Sequence, residues 1–363
     1  MDLEEIRKKI SNLDDQIIDL IARRETIVNE VSQYKIQEGI PIRDFTREKK
    51  VINRAREKAD QLNLNADMIE SVMLLLIESS LSKQEKIRVT SKNIGRDRRA
   101  LVIGGKGKMG IWMDEFLTSQ GYEVFISDSN APNEKNESID WMQGSLDYDI
   151  VVVATPLSKT GGILLELAKR KPRGLVIDIA SLKSPLRKGL KELQKAGCKV
   201  ISIHPMFGPD TRLLAHKHLV LIDLGDAGAL AEVTELFSST MVDMVVMSLD
   251  EHDKVMGYIL GLSHIINIAF MDALVNSGEH LESLRNISST TFNAQLNVAA
   301  RVTQDNPDLY FEIQALNEFG RHPVNEMVAS LNSICKLIDE DKKESFINIM
   351  LKGRAYIKNK VVP

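Results

Sequence analysis

The stretch "ALVIGGKGKMG", residues 100–110, decides the fold of the central part of the chain. A short apolar run precedes Gly105, Gly107 and Gly110 in GxGxxG spacing, and a helical pattern begins at Ile111. The first glycine permits a tight turn, the second lets the backbone approach a pyrophosphate, and the third brings helix and strand together. Free N–H groups at the helix start favour the anion. The stretch therefore predicts a dinucleotide-binding strand–turn–helix, with a purely structural glycine turn as the alternative.

An acidic residue supports this interpretation. A second strand is predicted to end at Asp128, about 20 residues after the glycines, where the fingerprint places an Asp or Glu. Its carboxylate can accept hydrogen bonds from an adenosine ribose and would repel a 2′-phosphate, so NAD is favoured over NADP. The predicted cofactor-binding residues are Gly105, Gly107, Lys108, Met109, Gly110, Asp128, Thr155 and Pro156.

The segments around the glycine loop predict the fold class. Seven short β-rich runs, beginning near residues 100, 123, 149, 174, 199, 219 and 244, mostly alternate with helical stretches. Such alternation is typical of a mainly parallel sheet with crossover helices. We therefore predict an α/β Rossmann-type domain over residues 100–249, preceded by a polar linker at 91–99. Helical patterns return over residues 250–363, which we predict to form an all-α substrate and dimerisation domain.

The N-terminal 90 residues predict an all-α domain. Residues 3–38 contain no Gly or Pro, and their apolar residues recur at a helical period. Further helices are predicted over residues 45–60 and 66–86. A helix of about 35 residues is about 50 Å long, too long for a compact domain of this size to cover. The pattern therefore implies a partner chain and a homodimer.

Composition excludes several classes of function. The chain has 363 residues and a formal net charge of −4, which argues against general nucleic-acid binding. No apolar run approaches the roughly 20 residues of a membrane helix, and the N-terminus does not resemble a signal peptide. Only Cys198 and Cys335 occur, far apart, so neither disulfides nor a zinc site are expected. A reducing, cytoplasmic setting without membrane contact is predicted.

Polar residues near predicted strand ends are candidates for catalysis. "ISIHPMFGPD" places His204 at the carboxyl end of a strand, where ligands bind in open α/β sheets. A neutral imidazole there can take a proton from a substrate hydroxyl. Ser181, in "DIASLKS", follows another strand and could orient nicotinamide or substrate, as could Lys183. Arg301 could clamp a substrate carboxylate; the alternative is a surface ion pair with Asp305.

Over nearly its whole length the sequence resembles the family of enzymes in which a chorismate mutase is fused to a prephenate dehydrogenase. The segments "GGKGKMG", "HPMFGPD", "DEHDKVM" and "DNPDLY" match motifs of the dehydrogenase half. The segments "LEEIRKKIS", "ARRE", "YK", "IRDFTREK" and "SSLSKQ" match the all-helical mutase without gaps in spacing. The resemblance implies rearrangement of chorismate to prephenate, followed by NAD-dependent oxidative decarboxylation of prephenate in tyrosine biosynthesis.

The resemblance also implies roles for individual residues of the mutase half. Substrate carboxylates are bound by Arg7, Arg24 and Arg47. The breaking ether is hydrogen-bonded by Lys35 and Gln84. Asp44 and Glu48 contact the substrate hydroxyl or the backbone, and Ser80 lines the pocket. Arg43 has no role assigned. Since the rearrangement is pericyclic, the protein contributes by holding the reactive conformer and stabilising charge.

Helix geometry constrains the arginines independently of the family. Arg7 and Arg24 are 17 residues apart, which corresponds to about 25 Å along one helix. A small dianion cannot bridge that distance. Lys35 is about three turns beyond Arg24 on the same side, so their long side chains can converge. We therefore expect Arg7 to serve the second site of an intertwined dimer, the assembly that the family also forms.

For the dehydrogenase half, the resemblance implies that His204 accepts the proton of the ring hydroxyl and that Arg301 holds a substrate carboxylate. Because aromatisation drives the reaction, no metal is expected. His264, in "GLSHIIN", matches a position near the substrate that is linked in the family to inhibition by tyrosine; a satisfied core histidine is the alternative. His252, in "DEHDK", is equally compatible with an exposed helix start.

Two other functions remain open at the level of sequence. One is a monofunctional prephenate or arogenate dehydrogenase whose N-terminal helices only mediate assembly, which leaves the charged residues of those helices as solvated surface. The other is a non-catalytic NAD-sensing regulator with a helical dimerisation arm. The generic glycine pattern fits such a regulator. The regulator hypothesis, however, does not explain His204 in its rigid Pro- and Gly-rich surroundings.

Overall fold

A computed structural model describes residues 2–42, 44–129 and 139–358, apart from the side chains of Phe45 and Thr46. The prediction for Arg43 lies outside the described residues. The chain divides into two compact units. The first comprises Met1–Thr155, Gly162–Ala180 and Gly189–Met247, and the second comprises Pro156–Gly161, Ser181–Lys188 and Ser248–Pro363.

Three helices open the first unit: α1 (Leu3–Gln37), α2 (Phe45–Gln61) and α3 (Ala66–Lys92). Gly39, with φ +65°, follows the end of α1. The Asp44 side chain caps α2 by accepting a hydrogen bond from the Arg47 N–H at 2.9 Å. The predicted end of the third helix at Lys86 is wrong, since α3 continues to Lys92. Its final turns contain the buried Val89, so packing within the unit extends the helix.

Helix α1 leaves most of its apolar side chains in solvent. Among its residues, all of which are described, only Val28 and Ser32 are buried. Its exposed large apolar residues include Leu3, Ile6, Ile10, Leu13, Ile17, Ile18, Leu20, Ile27, Val31 and Tyr34. An apolar surface of this length on a helix indicates that another chain covers it.

The rest of the first unit is built on a seven-stranded sheet of order β2-β1-β3-β4-β5-β6-β7. The pairs are parallel except for β5 with β6, which confirms the predicted mainly parallel sheet. Both faces of the central strands are buried, as is typical of such sheets. The strands are β1 (Arg99–Ile103), β2 (Glu123–Ser127), β3 (Ile150–Val153), β4 (Leu175–Asp178), β5 (Val200–Pro205), β6 (His218–Ile222) and β7 (Asp243–Met247).

Crossover helices connect these strands: α4 (Lys108–Ser119), α5 (Leu157–Arg170), α6 (Arg187–Lys195), preceded by a 3₁₀ turn at Ser184–Leu186, and α7 (Ala227–Phe237). Helix α4 begins three residues before the predicted Ile111, because the glycine loop leads directly into its first turn. Trp112 and Phe116 on α4 stack with ring centroids 5.2 Å apart, and Phe116 also stacks on Phe237 of α7 at 4.6 Å. These rings belong to the core that fixes the loop at the carboxyl edge of the sheet.

The second unit is helical. Its elements are α8 (Leu249–Met256), a π-helical turn (Gly257–Leu262), α9 (Ser263–Asn276), α10 (Leu281–Asn286), α11 (Thr290–Gln304), α12 (Pro307–Leu316), α13 (Arg321–Asp339) and α14 (Lys343–Lys358). By length and composition alone, the continuous helical segment Leu249–Asn276 could cross a membrane. Only 11% of its most apolar 18-residue stretch is buried. The sequence-based expectation that no run approaches that length is therefore wrong. The segment presents apolar surface that requires a cover.

Two candidate active sites

The glycine loop has the backbone geometry that a dinucleotide requires. Gly104 adopts φ +83°, and a Cβ there would lie 2.5 Å from the Ala154 carbonyl oxygen. At Gly110 a Cβ would lie 2.1 Å from the Gly104 carbonyl oxygen, so only glycine allows α4 to pack this closely. Gly107 is the N-cap of α4 and offers no side chain to the first N–H groups of the helix. Those donors can face a phosphate, which is the expected fit for a dinucleotide.

Asp128 and the neighbouring predicted residues surround this loop. Asp128 directly follows β2, and its Oδ2 accepts a hydrogen bond from the Lys106 N–H at 3.0 Å. The carboxylate therefore holds the loop as well as standing at the edge where a ribose is expected. Lys108 is exposed at the start of α4, whereas Met109 packs against the sheet core. Thr155 lies beside Gly104, so that a Cβ on the glycine would come within 2.9 Å of its Cγ2.

Pro156 belongs to the second unit and begins the turn into α5. Its carbonyl oxygen accepts a hydrogen bond from Thr160 Oγ1 at 3.0 Å.

His204 lies within the last residues of β5 and pairs with Val220 of β6. Only 6% of its surface is exposed. The segment that follows is held by Trp112, whose Nε1–H donates to the Thr211 carbonyl oxygen at 3.0 Å. His204 is thus fixed near the carboxyl end of a central strand, with a braced segment beside it.

The second unit contains a buried polar cluster that sequence reasoning missed. The Asp253 carboxylate accepts a hydrogen bond from the Lys183 N–H at 2.9 Å and from both the N–H and the hydroxyl of Ser184. His252 Nδ1 lies 2.6 Å from Asp253 Oδ1. Burial alone would raise the pKa of Asp253, but the hydrogen bonds from His252, Ser184 and Lys183 outweigh burial and lower it. An ionised Asp253 therefore fixes the segment containing the predicted Ser181.

His252 is fully buried, so its interpretation as an exposed helix start is wrong. A capping box between Ser248 and Glu251 begins α8 and turns His252 and Asp253 towards the interior. The motif "DEHDKVM" was the available signal, but its high density of charged residues equally fits a solvated helix start.

Arg301 and His264 both lie in the second unit. Arg301 is exposed on α11, and no described carboxylate forms an ion pair with it, so the alternative of a surface pair with Asp305 is not realised. The His264 ring contacts Tyr310 with centroids 4.4 Å apart, and its Nδ1 is buried without a hydrogen-bond partner among the described residues. Burial lowers the pKa of His264, with the charge of Asp305 acting in the opposite direction. His264 is therefore not a satisfied core histidine.

In the N-terminal helices, α1 and α3 bring Arg24 and Ser80 together. The Arg24 guanidinium donates to Ser80 Oγ and, at 2.9 Å, to the Leu76 carbonyl oxygen. Gln84 lies one turn beyond Ser80 on the same face and is buried. Its Oε1 has no hydrogen-bond partner among the described residues. A buried amide oxygen without a partner among the described residues, one turn from the Ser80 that Arg24 contacts, indicates a place for a polar ligand.

Lys35 connects this group to the start of α2. Its Nζ donates to the Ile42 carbonyl oxygen at 2.5 Å. Burial lowers the pKa of Lys35, while the nearby charges of Asp44 and Glu48 act in the opposite direction. The ammonium and the two carboxylates therefore share one electrostatic environment.

Arg7 is not brought to this group within one chain. It is exposed near the far end of α1 and forms an ion pair with Glu4 at 2.9 Å. Arg24 lies 17 residues further along the same helix, so the separation expected from the sequence holds for the single chain.

Two cavities of the first unit bear on these sites. One, of about 510 Å³, has an apolar floor between α2 and α3 and a cationic rim of Arg47, Lys50, Arg54 and Lys58. The other, of about 730 Å³, lies where β1, β3, β4 and β5 begin and is lined by residues such as Arg99 and Arg173. Because ligands of such sheets bind at the carboxyl ends of the strands, the second cavity is not the nucleotide site.

Comparison with known proteins assigns each part to a family. Residues 6–85 match the family described as chorismate mutase type II. Residues 126–246 match the nucleotide-binding domain of prephenate dehydrogenase, and residues 248–352 match its dimerization domain.

Individual relatives cover both halves. A T-protein of Enterobacter agglomerans is 28% identical over 352 residues, spanning 95% of this chain and 90% of that protein. A chorismate mutase of Methanocaldococcus jannaschii is 35% identical over 91 residues, spanning 25% of this chain and 92% of that protein.

A solved structure shares the fold. It is prephenate dehydrogenase from A. aeolicus in complex with hydroxyphenyl propionate and NAD+, with a TM-score of 0.58 and 19% identity, covering 72% of this chain and 97% of that one. With a mutase match at one end, both dehydrogenase matches behind it and a relative spanning the whole, the chain belongs to the bifunctional chorismate mutase/prephenate dehydrogenase family.

Proposed function

We propose that the chain catalyses two consecutive steps of tyrosine biosynthesis. It rearranges chorismate to prephenate and then converts prephenate, by NAD-dependent oxidative decarboxylation, to 4-hydroxyphenylpyruvate. The observation that carries this function is the presence, in one chain, of the mutase side chains around Gln84 and the glycine loop with His204. We divide the chain into a mutase domain (1–90), a linker (91–99), a nucleotide-binding domain (100–249) and a substrate and dimerisation domain (250–363).

In the mutase reaction the protein holds a folded dianion and stabilises negative charge on the breaking ether. Arg24 and Arg47 bind the carboxylates, Ser80 lines the pocket, and Lys35 with Gln84 donates to the ether oxygen. The Gln84 amide oxygen has no partner among the described residues, and an amide turned over about its terminal bond would present its N–H₂ group there instead, which supports this role. Burial lowers the pKa of Lys35, the charges of Asp44 and Glu48 partly offset this lowering, and the same two carboxylates accept a hydrogen bond from the substrate hydroxyl.

Arg7 completes the site of a second copy, so the active species is a homodimer. The exposed apolar residues along α1 support an intertwined arrangement. The groove between α2 and α3 is the seat we assign to the partner's α1: its floor is apolar and its rim cationic. Acidic side chains outnumber basic ones in residues 2–19, which gives that segment the complementary charge.

In the dehydrogenase reaction the glycine loop and Asp128 bind NAD, with Lys108, Met109, Thr155 and Pro156 at the borders of the site. Bound NAD supplies the hydride acceptor. His204 accepts the proton of the ring hydroxyl, Ser181 orients the reacting groups, and Arg301 binds a substrate carboxylate. The Arg301 guanidinium forms no ion pair with a described carboxylate, which supports this role. Carbon dioxide leaves as the ring becomes aromatic.

His264 is the residue through which we propose inhibition by tyrosine. Its Nδ1 is buried without a hydrogen-bond partner among the described residues and its ring contacts Tyr310, which together support a role in binding a ligand. The free thiols of Cys198 and Cys335 fit the reducing, cytoplasmic compartment that we propose.

The test is a steady-state assay of the full chain with chorismate, prephenate and arogenate, each with NAD and with NADP. We expect chorismate consumption without cofactor and NADH formation from prephenate. Arg24→Ala should lower kcat/KM of the first activity alone by about 10²–10³, whereas the exposed neighbour Arg23→Ala should leave both unchanged. A folded chain that oxidises prephenate but never consumes chorismate would instead be a monofunctional dehydrogenase.

A further inference from the structure

A buried carboxylate joins the mutase helix α3 to the sheet. Glu85 is only 4% exposed, and its two oxygens accept hydrogen bonds from two main-chain N–H groups, those of Leu214, at 2.8 Å, and Met241. Leu214 lies between β5 and β6, and Met241 lies between α7 and β7. One side chain of α3 therefore ties together two separate connections of the α/β region.

The same turn of α3 carries the mutase site. Gln84 immediately precedes Glu85, and Ser80, bonded to Arg24, lies one turn earlier. Successive residues of a helix are rotated by about 100°. The face of α3 that lines the mutase site and the face that carries Glu85 are thus adjacent, and a small rotation of α3 displaces both.

Towards the sheet, Glu85 holds the segment that leaves β5, the strand that contains His204. After β5 ends at Pro205, the chain is fixed at Thr211 by Trp112 and at Leu214 by Glu85. Leu214 itself is buried. Glu85 thereby sets the position of the segment that follows His204.

Burial of a carboxylate at this place is costly. Burial raises the pKa of Glu85, with the two main-chain N–H groups acting in the opposite direction. Apolar residues often stabilise such contacts as well or better, whereas a paired polar group fixes one geometry. By contrast, Lys92 at the end of α3 forms an exposed ion pair with Glu235, a kind of contact that contributes little.

We propose that Glu85 is a positioning residue that couples the two active sites, holding α3 and the segment after His204 in one register. The inference rests on the proposed function. Because coupling is reciprocal, NAD bound at the glycine loop stabilises the α3 turn of residues 80–85, and a ligand of the mutase site stabilises the segment around Leu214.

The test compares Glu85→Gln, which keeps the side-chain volume but places an N–H₂ group against a main-chain donor, with the surface control Lys92→Ala. We expect Glu85→Gln to reduce kcat/KM for chorismate about tenfold, mainly through KM, and to reduce kcat/KM for prephenate at an unchanged far-ultraviolet circular dichroism spectrum. The control should match the wild type in both reactions.

Hydrogen exchange supplies a readout that does not depend on turnover. In the wild type, NAD should slow exchange of the amides of residues 80–85, and in Glu85→Gln this effect should vanish while the Leu214 and Met241 amides exchange faster. If Glu85→Gln retains both activities within twofold, or NAD protects α3 equally in the variant, the coupling is absent. A wild-type chain without mutase activity would instead overturn the proposed function.

Discussion

The N-terminal helices and the sheet region solve the same problem, the covering of apolar surface, in opposite ways. The strands β3 and β4 are buried along their whole length within the chain, and the glycine loop and His204 rest on that core. Helix α1 buries only Val28 and Ser32. The difference teaches that the core beneath the glycine loop is covered within one chain, whereas the apolar surface of α1 is not, which agrees with the proposal that a second copy completes the mutase site. The two activities should therefore respond differently to mutation and dilution.

The largest expected effect separates the two regions by chemistry. His204→Asn keeps a polar side chain but removes the imidazole that acts as the base. We therefore expect kcat for prephenate oxidation to fall by about 10²–10⁴. Chorismate mutase activity should stay unchanged, because the substitution leaves the hydrogen bonds of Glu85 with Leu214 and Met241 in place. The exposed His218→Asn serves as the matched control. Full dehydrogenase turnover in the His204 variant would mean that the proton acceptor lies elsewhere.

The next effect tests whether the helical site is shared between chains. Arg7→Ala and Arg24→Ala should each lower mutase kcat/KM by about 10²–10³, the scale for removing one charge-stabilising donor. When the two variants are unfolded together and refolded at equal concentration, random pairing restores both arginines in about one quarter of the sites. Recovery should disappear if the variants are mixed without exchange of subunits. A mixture that regains nothing after exchange would place both arginines in one chain's site.

Sequence predicted those parts that rest on local rules. Short contiguous segments were enough to predict the glycine loop, the strand ends that carry Asp128 and His204, and the mainly parallel sheet. The exposed length of α1 likewise follows from its period and the lack of Gly and Pro. Gly104, whose positive φ makes the turn, was missed because its requirement comes from the close approach of Ala154, which directly follows β3.

The residues that sequence could not predict are polar groups whose role depends on burial. Asp253 lies in a charge-rich segment typical of a helix start, and Glu85 lies in "SKQEK", typical of a solvated face. Only tertiary contacts with main-chain N–H groups distinguish them from surface carboxylates. The apolar character of Leu249–Asn276 was underestimated because four of its five Asp, Glu and Lys residues lie within its first six positions, which leaves the remainder largely apolar.

Asp253 tests whether the second unit, like the sheet, is stabilised within one chain. Asp253→Asn should lower the free energy of unfolding by about 1–3 kcal/mol near neutral pH, since buried N–H groups lose their charged acceptor. The folded-state pKa of Asp253 lies below its ordinary value of 3.8. Its stabilisation is therefore present above that value and is lost as pH falls through the folded-state pKa. The difference between wild type and variant in denaturant melts should shrink only under acidic conditions and should not depend on protein concentration. The exposed Asp250→Asn is the control.

The smallest effect concerns Asp128, which stands at the edge of the self-contained half-site. Asp128→Ala should lower the ratio of kcat/KM for NAD over NADP about tenfold, because a carboxylate no longer repels the 2′-phosphate. The alanine also removes the acceptor of the Lys106 N–H, which should raise KM for both cofactors. Asp128→Asn retains an acceptor and removes only the charge, so it should gain NADP use with less loss of NAD. If the ratio of kcat/KM for NAD over NADP is unchanged in both variants, another residue discriminates between the ribose hydroxyl and the 2′-phosphate. A ratio that changed with enzyme dilution would show that the nucleotide site, too, depends on the partner subunit.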